Sequence, residues 1–239
     1  METLRFISGV ILPYVALPVF LAGMLYRIHV WRKLPSPAIT LFPAPPDEAA
    51  NVRNTAAEAF LFKSLFKGDR PLWLAAWLFH ATLALIFVGH IRVFTNADAL
   101  LENAGMTRSG IDAMSAGAGG AAGAVILAAA LWLAGRRAAI RRVREITGLA
   151  DCLALGLIGA ILITGNMMRF GAEHFDLNLT REYFAGLASF AGVRGAPILS
   201  NNLFVVHMFL ALVLVMIIPF SKILHFGGIF FTHQLIRKH

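Results

Sequence analysis

Long apolar runs alternate with short polar stretches along the whole chain. Five runs of 21 to 24 residues each cover positions 6–28, 71–94, 115–135, 149–170 and 203–226. A helix of that length crosses a hydrocarbon layer of about 30 Å at a rise of about 1.5 Å per residue. Because lipid offers the backbone no hydrogen-bond partner, each run must be helical. The pattern predicts an all-α membrane bundle of five transmembrane helices that forms one domain over residues 1–239.

Two local features modify this pattern. Pro13 and Pro18 interrupt the first run and Pro219 the fifth, so kinks are expected there. Between the first two runs lies the longest loop, whose start is rich in proline and is expected to be extended. Its later part, residues 51–66, has apolar positions at helical spacing. That part is predicted to form an amphipathic helix at the membrane surface.

Composition agrees with a bilayer protein. Hydrophobic residues make up 58% of the chain and charged residues 14%, with a mean hydropathy of +0.72, whereas soluble domains are about 45–50% apolar and about 25% charged. The net charge of +8 does not indicate nucleic-acid binding, because the basic residues lie in short loops beside apolar runs. Cys152 is the only cysteine, which excludes an internal disulfide, an iron–sulfur cluster and covalent heme attachment within this chain.

The loop charges predict an orientation. Thirteen lysines and arginines fall in the loops after the first and third runs and in the tail, against four on the other side. Basic loops stay in the cytoplasm. The N-terminus is therefore predicted to lie outside and the C-terminus in the cytoplasm.

The chain has eight histidines, and four of them fall within or at the edges of two predicted spans. His80 and His90 lie in the second span, and His207 and His225 in the fifth. Ionisable groups inside a bilayer are costly and usually functional, so two on each of two helices are hard to assign to packing alone. The other four lie at a helix end, in a loop or in the tail and need no special role: His29, His174, His233 and His239.

Helix geometry arranges the four into two pairs. His80 and His90 are ten residues apart, about 15 Å along a helix, whereas His207 and His225 are eighteen apart, about 27 Å. Since the two spans run in opposite directions, His80 faces His225 on the cytoplasmic side and His90 faces His207 on the outer side. The spacings differ by about 12 Å, and helix tilt or the kink at Pro219 must absorb that difference.

Two imidazoles facing each other across a bundle can supply both axial ligands of a heme iron. A zinc or copper site would need further ligands at the same level. A proton relay would usually include an intramembrane carboxylate, and Asp151 is the one candidate near a span. A heme-free transporter or assembly subunit, with histidines that carry protons or simply pack, is the alternative reading.

Heme propionates need basic or hydrogen-bonding partners at the membrane edges. Arg92 lies two residues after His90, Lys222 lies three before His225, and Arg169 closes the fourth span. These three are the candidate propionate partners. Snorkelling of their charged ends to the lipid headgroups is the alternative for each.

Several segments carry a family resemblance. Residues 78–90, LFHATLALIFVGH, and 207–225, HMFLALVLVMIIPFSKILH, resemble the second and last helices of the respiratory nitrate reductase gamma subunit (cytochrome b) family. PYVALPVFLAG near the start and RRVREITGLAD at 141–151 also fit, so the resemblance covers nearly the whole chain. Within this superfamily the first loop, WRKLPSPAITLFPAPP followed by FLFKSLFKGDRPLWLAAWLFH, looks more like the membrane subunit of sulfite-reduction-associated (Dsr) complexes. The cytochrome subunits of heterodisulfide-reductase-like complexes share that style.

The resemblance implies two b-type hemes, ligated by His80 with His225 and by His90 with His207. It implies quinol or quinone chemistry near the outer heme, electron exchange with a cytoplasmic iron–sulfur partner, and the cytoplasmic membrane of a bacterium or archaeon. The chain would then be a subunit of a quinol-linked oxidoreductase, with no terminal catalytic site of its own. Nitrate reductases have a quinol-associated lysine after the second helix, but residues 93–114 contain none, and Arg108 is the basic residue in that stretch.

Overall fold

A computed structural model describes residues 2–33, 48–171 and 176–225, and within these ranges the secondary structure is helical, without strands. The α-helices are α1 (Glu2–Phe6), α2 (Leu12–Lys33), α3 (Glu48–Leu61), α4 (Lys63–Gly68), α5 (Arg70–Phe94), α6 (Asp98–Asn103), α7 (Arg108–Ala139), α8 (Arg141–Glu145), α9 (Leu149–Phe170), α10 (Leu177–Ala188) and α11 (Asn202–Ile217). A π-helical turn, Ile7–Ile11, joins α1 to α2. Short 3₁₀ turns occur at Pro197–Ser200, Ile218–Phe220 and Lys222–Leu224.

Five helical stretches are long and apolar enough to cross a membrane, as the sequence predicts. They are Glu2–Lys33, Arg70–Phe94, Arg108–Ala139, Leu149–Phe170 and Asn202–Phe220. The third stretch is 32 residues long, longer than the predicted 115–135, because polar turns of helix extend both of its ends. The chain is a multi-pass membrane protein.

The spanning helices pack in a chain of neighbours. α5 packs on α7, α7 on α9, α9 on α11, and α11 on α2, while no extensive contact joins α5 to α11 within the described residues. The histidine-bearing helices α5 and α11 are therefore not closely packed against each other in the bundle. We call its two ends the His90 end, where α10 contacts α5, and the His80 end, where α4 contacts α5.

The largest core lies at the His90 end, where α10, the Pro197–Ser200 turn and the start of α11 cover the first span. Its buried members are Tyr183, Leu187, Val193, Ile198, Leu199, Phe204, Val205 and Met208. Tyr183 is only 1% exposed, and its hydroxyl donates to the Gly9 carbonyl at 2.8 Å. Pro13 has no N–H to offer that carbonyl four residues earlier, so α10 satisfies a backbone group that the proline leaves without its usual donor.

Proline also ends the fifth span early. α11 stops at Ile217, a 3₁₀ turn carries Pro219, and Ser221 is extended at φ −121° and ψ 170°. The predicted continuous span over 203–226 is thus broken, and its last residue lies outside the described residues. The bend rests on α2: a Cβ at Gly23 would lie 2.7 Å from Pro219 Cβ, and Arg27 Nε donates to the Pro219 carbonyl at 2.7 Å.

The predicted amphipathic helix over 51–66 forms as two helices, α3 and α4, with Phe62 between them in a left-handed conformation at φ 51°. The final carbonyls of α3 have no partner within the helix. Two tryptophans of α5 supply donors instead: Trp73 Nε1 donates to Leu61 O at 2.8 Å and Trp77 Nε1 to Phe60 O at 3.1 Å. These bonds fasten the α3–α4 junction to the side of α5.

Candidate heme-binding site

At the His80 end, the structure brings the rings of His80 and His225 close together. Their ring centroids are 5.8 Å apart and the ring planes are nearly perpendicular, at 89°. Bonds from a metal to imidazole nitrogen are about 2.0–2.1 Å long, so two rings on opposite sides of one iron have centroids about 6 Å apart. The observed separation fits an iron bound between these two side chains.

This pairing depends on the broken fifth span. A straight helix would carry His225 about 27 Å beyond His207, whereas His80 and His90 are about 15 Å apart along α5. The end of α11 at Ile217 and the turns that follow redirect the chain toward α5. The 12 Å mismatch expected from the sequence is therefore absorbed at Pro219.

The hydrogen bonds of the rings select one nitrogen for a metal. His80 Nδ1 lies 2.7 Å from Ala76 O, His90 Nδ1 2.8 Å from Ile86 O, and His225 Nδ1 3.1 Å from Lys222 O. A carbonyl can only accept, so each Nδ1 carries the proton. In the neutral ring this leaves the lone pair on Nε2, which is the arrangement found in metal-bound histidines.

At the other end, His90 and His207 lie close enough for their imidazoles to interact electrostatically. His207 differs from the other three because its Nδ1 meets a side chain of another helix, the Thr164 hydroxyl of α9, at 2.9 Å. The structure brings the rings of His80 and His225 together, and the assignment of all four histidines to two ligand pairs stays a prediction. Within the described residues, no group of three or more His, Cys, Asp or Glu side chains gathers as a metal site.

Two aromatic side chains pack against His80. Phe62 and Phe79 make edge-to-face contacts with its ring at centroid distances of 5.2 and 5.3 Å. Phe79 also packs against the small core of Ile126, Ala130 and Leu162. His80 is therefore held in an apolar setting on one side, which suits the apolar face of a porphyrin.

Arg92, predicted as a propionate partner, has protein partners in the structure. Its Nε and one terminal nitrogen bind the two oxygens of Asp98 at 2.6 and 3.1 Å, and the terminal nitrogen also reaches Asp112 at 3.0 Å. Arg181 of α10 donates to Asp98 at 2.7 Å and to the Arg92 carbonyl at 2.7 Å. The side chain of Asp98 is only 3% exposed, so this cluster fastens α5, α6, α7 and α10 together.

The remaining predicted site residues have separate surroundings. Arg169 donates to the Ser115 carbonyl and joins the end of α9 to α7. Lys222 pairs with Asp151 at 2.9 Å, but its side chain is 80% exposed and free to reach other anions. Arg108 pairs with Glu102 at 3.1 Å on the surface. Of the histidines assigned no role, His29 is exposed on α2, and the other three lie outside the described residues.

The sequence did not indicate the role of several residues that shape the site. Thr164 is a single hydroxyl in an apolar span, and Gly23 resembles many other membrane glycines. Arg27 and Asp98 look like ordinary residues at the ends of spans. Only the polarity of Thr164 within a spanning segment could have marked it, since interhelical hydrogen bonds are a common use of threonine there.

Comparison with known proteins places this geometry in a family. The family model for the nitrate reductase gamma subunit matches residues 59–238. The chain belongs to the nitrate reductase gamma subunit family. The resemblance seen in the two histidine-bearing helices is thereby confirmed.

Two archaeal relatives extend the match beyond those helices. One is the Hdr-like menaquinol oxidoreductase cytochrome b-like subunit of Archaeoglobus fulgidus, 32% identical over 95% of this chain and 78% of the relative. The protein of the same description in Archaeoglobus profundus is 28% identical over 92% of this chain and 76% of the relative. These relatives agree with the heterodisulfide-reductase-like style of the first loop.

Proposed function

We propose that this chain is a di-heme b membrane subunit that links the quinol pool to a cytoplasmic iron–sulfur partner of a respiratory complex. In this proposal His80 and His225 bind one heme iron, and His90 and His207 bind the other. When bound, the hemes supply one-electron redox chemistry. The observation that carries the proposal is the separation of 5.8 Å between the His80 and His225 rings, together with the donor pattern that leaves Nε2 free.

The depth of the two sites supports a relay across the membrane. His80 and His90 are ten residues apart on one uninterrupted helix, so their levels differ by about 15 Å. Apart from Ala75, none of the residues of α5 is fully buried in the described structure, which leaves apolar surface along this helix for a cofactor. The names of the two relatives include menaquinol and cytochrome b-like, and we extend both functions to this chain.

We place quinol near His90 and His207, on the outer side, and the iron–sulfur partner near His80 and His225. Lys222 is the best of the three candidate propionate partners, because its ammonium group is exposed, whereas Arg92 and Arg169 already hold neighbouring helices. The terminal substrate, a sulfur compound or nitrate, would be handled by a partner subunit. The cytoplasmic membrane of a bacterium or archaeon is the proposed location.

The decisive experiment is a reduced-minus-oxidised spectrum with a pyridine hemochrome count on the purified protein. Two b-type hemes per chain are expected. His90→Ala should lose one heme and His80→Ala the other, while His29→Ala, a control on the exposed face of α2, should keep both. The absence of any b-type signal would refute heme binding, and a His90→Ala variant with both hemes would refute the pairing.

Orientation has a separate test that uses the only cysteine. Cys152 is exposed near the start of α9, at the end of the bundle where Lys222 meets Asp151. If that end is cytoplasmic, a membrane-impermeant maleimide should label Cys152 in inverted vesicles and not in intact cells. Labelling in intact cells would reverse the proposed orientation and would move the quinol site to the opposite face.

A further inference from the structure

One histidine depends on a second helix for its orientation. His207 Nδ1 lies 2.9 Å from Thr164 Oγ1, whereas His80, His90 and His225 each use a carbonyl of their own segment. The backbone of Ile161, also on α9, is a further hydrogen-bond partner of the His207 ring. The direction in which the ring of His207 points is therefore coupled to α9.

The direction of the hydrogen bond follows from the surroundings of the hydroxyl. Thr164 Oγ1 lies 2.9 Å from Ala160 O and 3.1 Å from Ile161 O, and its single proton is donated to those carbonyls. Its lone pairs remain for His207, so the hydroxyl accepts from Nδ1–H. A hydroxyl that donates to a carbonyl is also a better acceptor, because chained hydrogen bonds strengthen one another.

Back-bonding of a threonine to its own helix is common and by itself indicates no function. Thr82 of α5 does the same, with its hydroxyl 2.6 Å from Leu78 O, and no imidazole of the described residues bonds to it. At Thr164 a second feature distinguishes the position. The next residue is Gly165, where a Cβ would lie 3.2 Å from His207 Cε1. Adjacent positions of α9 therefore supply a hydrogen-bonding hydroxyl and the space that the His207 ring occupies.

We propose that Thr164 is the positioning residue of His207. Its hydroxyl fixes the tautomer that presents Nε2 to the partner side chain His90, and Gly165 leaves the room that this ring orientation needs. An acceptor on Nδ1–H makes the ring a stronger electron donor, so Thr164 also favours ferric over ferrous iron at that site. This inference rests on the proposed function, because its consequence is measured at the bound iron.

The test is a redox titration, with low-spin ferric EPR spectra, of Thr164→Val, which keeps the shape and removes the hydroxyl. The midpoint potential of the heme that His90→Ala loses should rise. A tenfold weaker preference for ferric iron corresponds to about 59 mV. Thr164→Ser should restore the potential of that heme, and Thr82→Val should leave it unchanged. The heme bound by His80 and His225 should not change in any of the three variants.

An unchanged potential and EPR spectrum in Thr164→Val would overturn the inference, while a wild-type protein without b-type heme would overturn the proposed function first. If Thr164→Val fails to assemble, Gly165→Ala provides the second test. It should perturb the EPR signal or occupancy of the same heme, whereas Gly156→Ala on the exposed side of α9 should not. Identical behaviour of the two alanine variants would count against the inference.

Discussion

The cluster around Asp98 makes the sharpest prediction about stability. Asp98→Asn keeps the size of the side chain and removes a charge that is 3% exposed and bonded to both Arg92 and Arg181. Arg92 retains Asp112 at 3.0 Å. Within the part of the chain that the structure describes, Arg181 keeps only its hydrogen bond to the Arg92 carbonyl. The perturbation is therefore felt mainly where α10 joins α5.

Its magnitude follows from the proton affinity of Asp98. Hydrogen bonds from Arg92, aided by Arg181, lower the pKa of this carboxyl from 3.8 to about 2. A pKa lowered by nearly two units corresponds to about 2 kcal/mol of stability. That contribution is complete above the unfolded value of 3.8 and is lost as the pH falls through about 2. Removing one partner of a buried pair costs about 3–5 kcal/mol, so we expect Asp98→Asn to lower the free energy of unfolding at neutral pH by about 2–5 kcal/mol.

The assay is thermal unfolding in detergent at pH 7, followed by tryptophan fluorescence. For a chain of this size each kcal/mol shifts Tm by about 2–4 °C, so we expect a loss of about 5–15 °C. Glu102→Gln is the matched control, since its pair with Arg108 is exposed and such pairs contribute about 0–1 kcal/mol. An Asp98→Asn protein that unfolds within about 2 °C of this control would refute the reasoning. Between pH 4 and pH 2 the difference from wild type should narrow.

Two further predictions concern the His80 end. Gly23→Ala forces Pro219 to shift, since the new Cβ would lie 2.7 Å from Pro219 Cβ. A hemochrome count should therefore show reduced occupancy of the heme proposed to bind His225. Gly135→Ala is the control, because it has open space around it and should not change that occupancy. Lys222→Gln should leave Tm nearly unchanged, because the Lys222 side chain is largely exposed and Asp151 keeps the Gly148 N–H as a hydrogen-bond donor. If Lys222 supports a propionate, losing its positive charge should lower the midpoint potential of the same heme in a redox titration, and an unchanged potential would remove it from the site.

The spans could be predicted because the bilayer imposes one constraint on every segment that crosses it. Length, hydropathy and the need for internal hydrogen bonds decide the helices without reference to their neighbours. The relative levels of His80 and His90 follow from the same local geometry, since the rise per residue along one helix sets them; the pairing of the four histidines as ligands stays a prediction. Sequence reasoning therefore succeeded where a residue's position depends on its own helix.

It was less successful where position depends on a distant residue. Asp98 and Arg181 are 83 residues apart, and only the folded structure shows that Asp98 also binds the guanidinium of Arg92. The bend at Pro219 could be expected, but its direction depends on the gap at Gly23 and on the donor at Arg27. A proline signals that a helix is disturbed, and the packing partner decides where the chain then goes.

This division between local and distant determinants extends to the two sites. His80 and His90 both direct Nδ1 to a carbonyl of their own helix, so α5 alone orients one of the proposed ligands at each end. Their opposite ligands depend on other helices: His225 on the bend seated against α2, and His207 on the hydroxyl of Thr164 in α9. If the chain binds the two proposed hemes, changes in α2 should affect one of them and changes in α9 the other, so that each could be tuned without disturbing its neighbour.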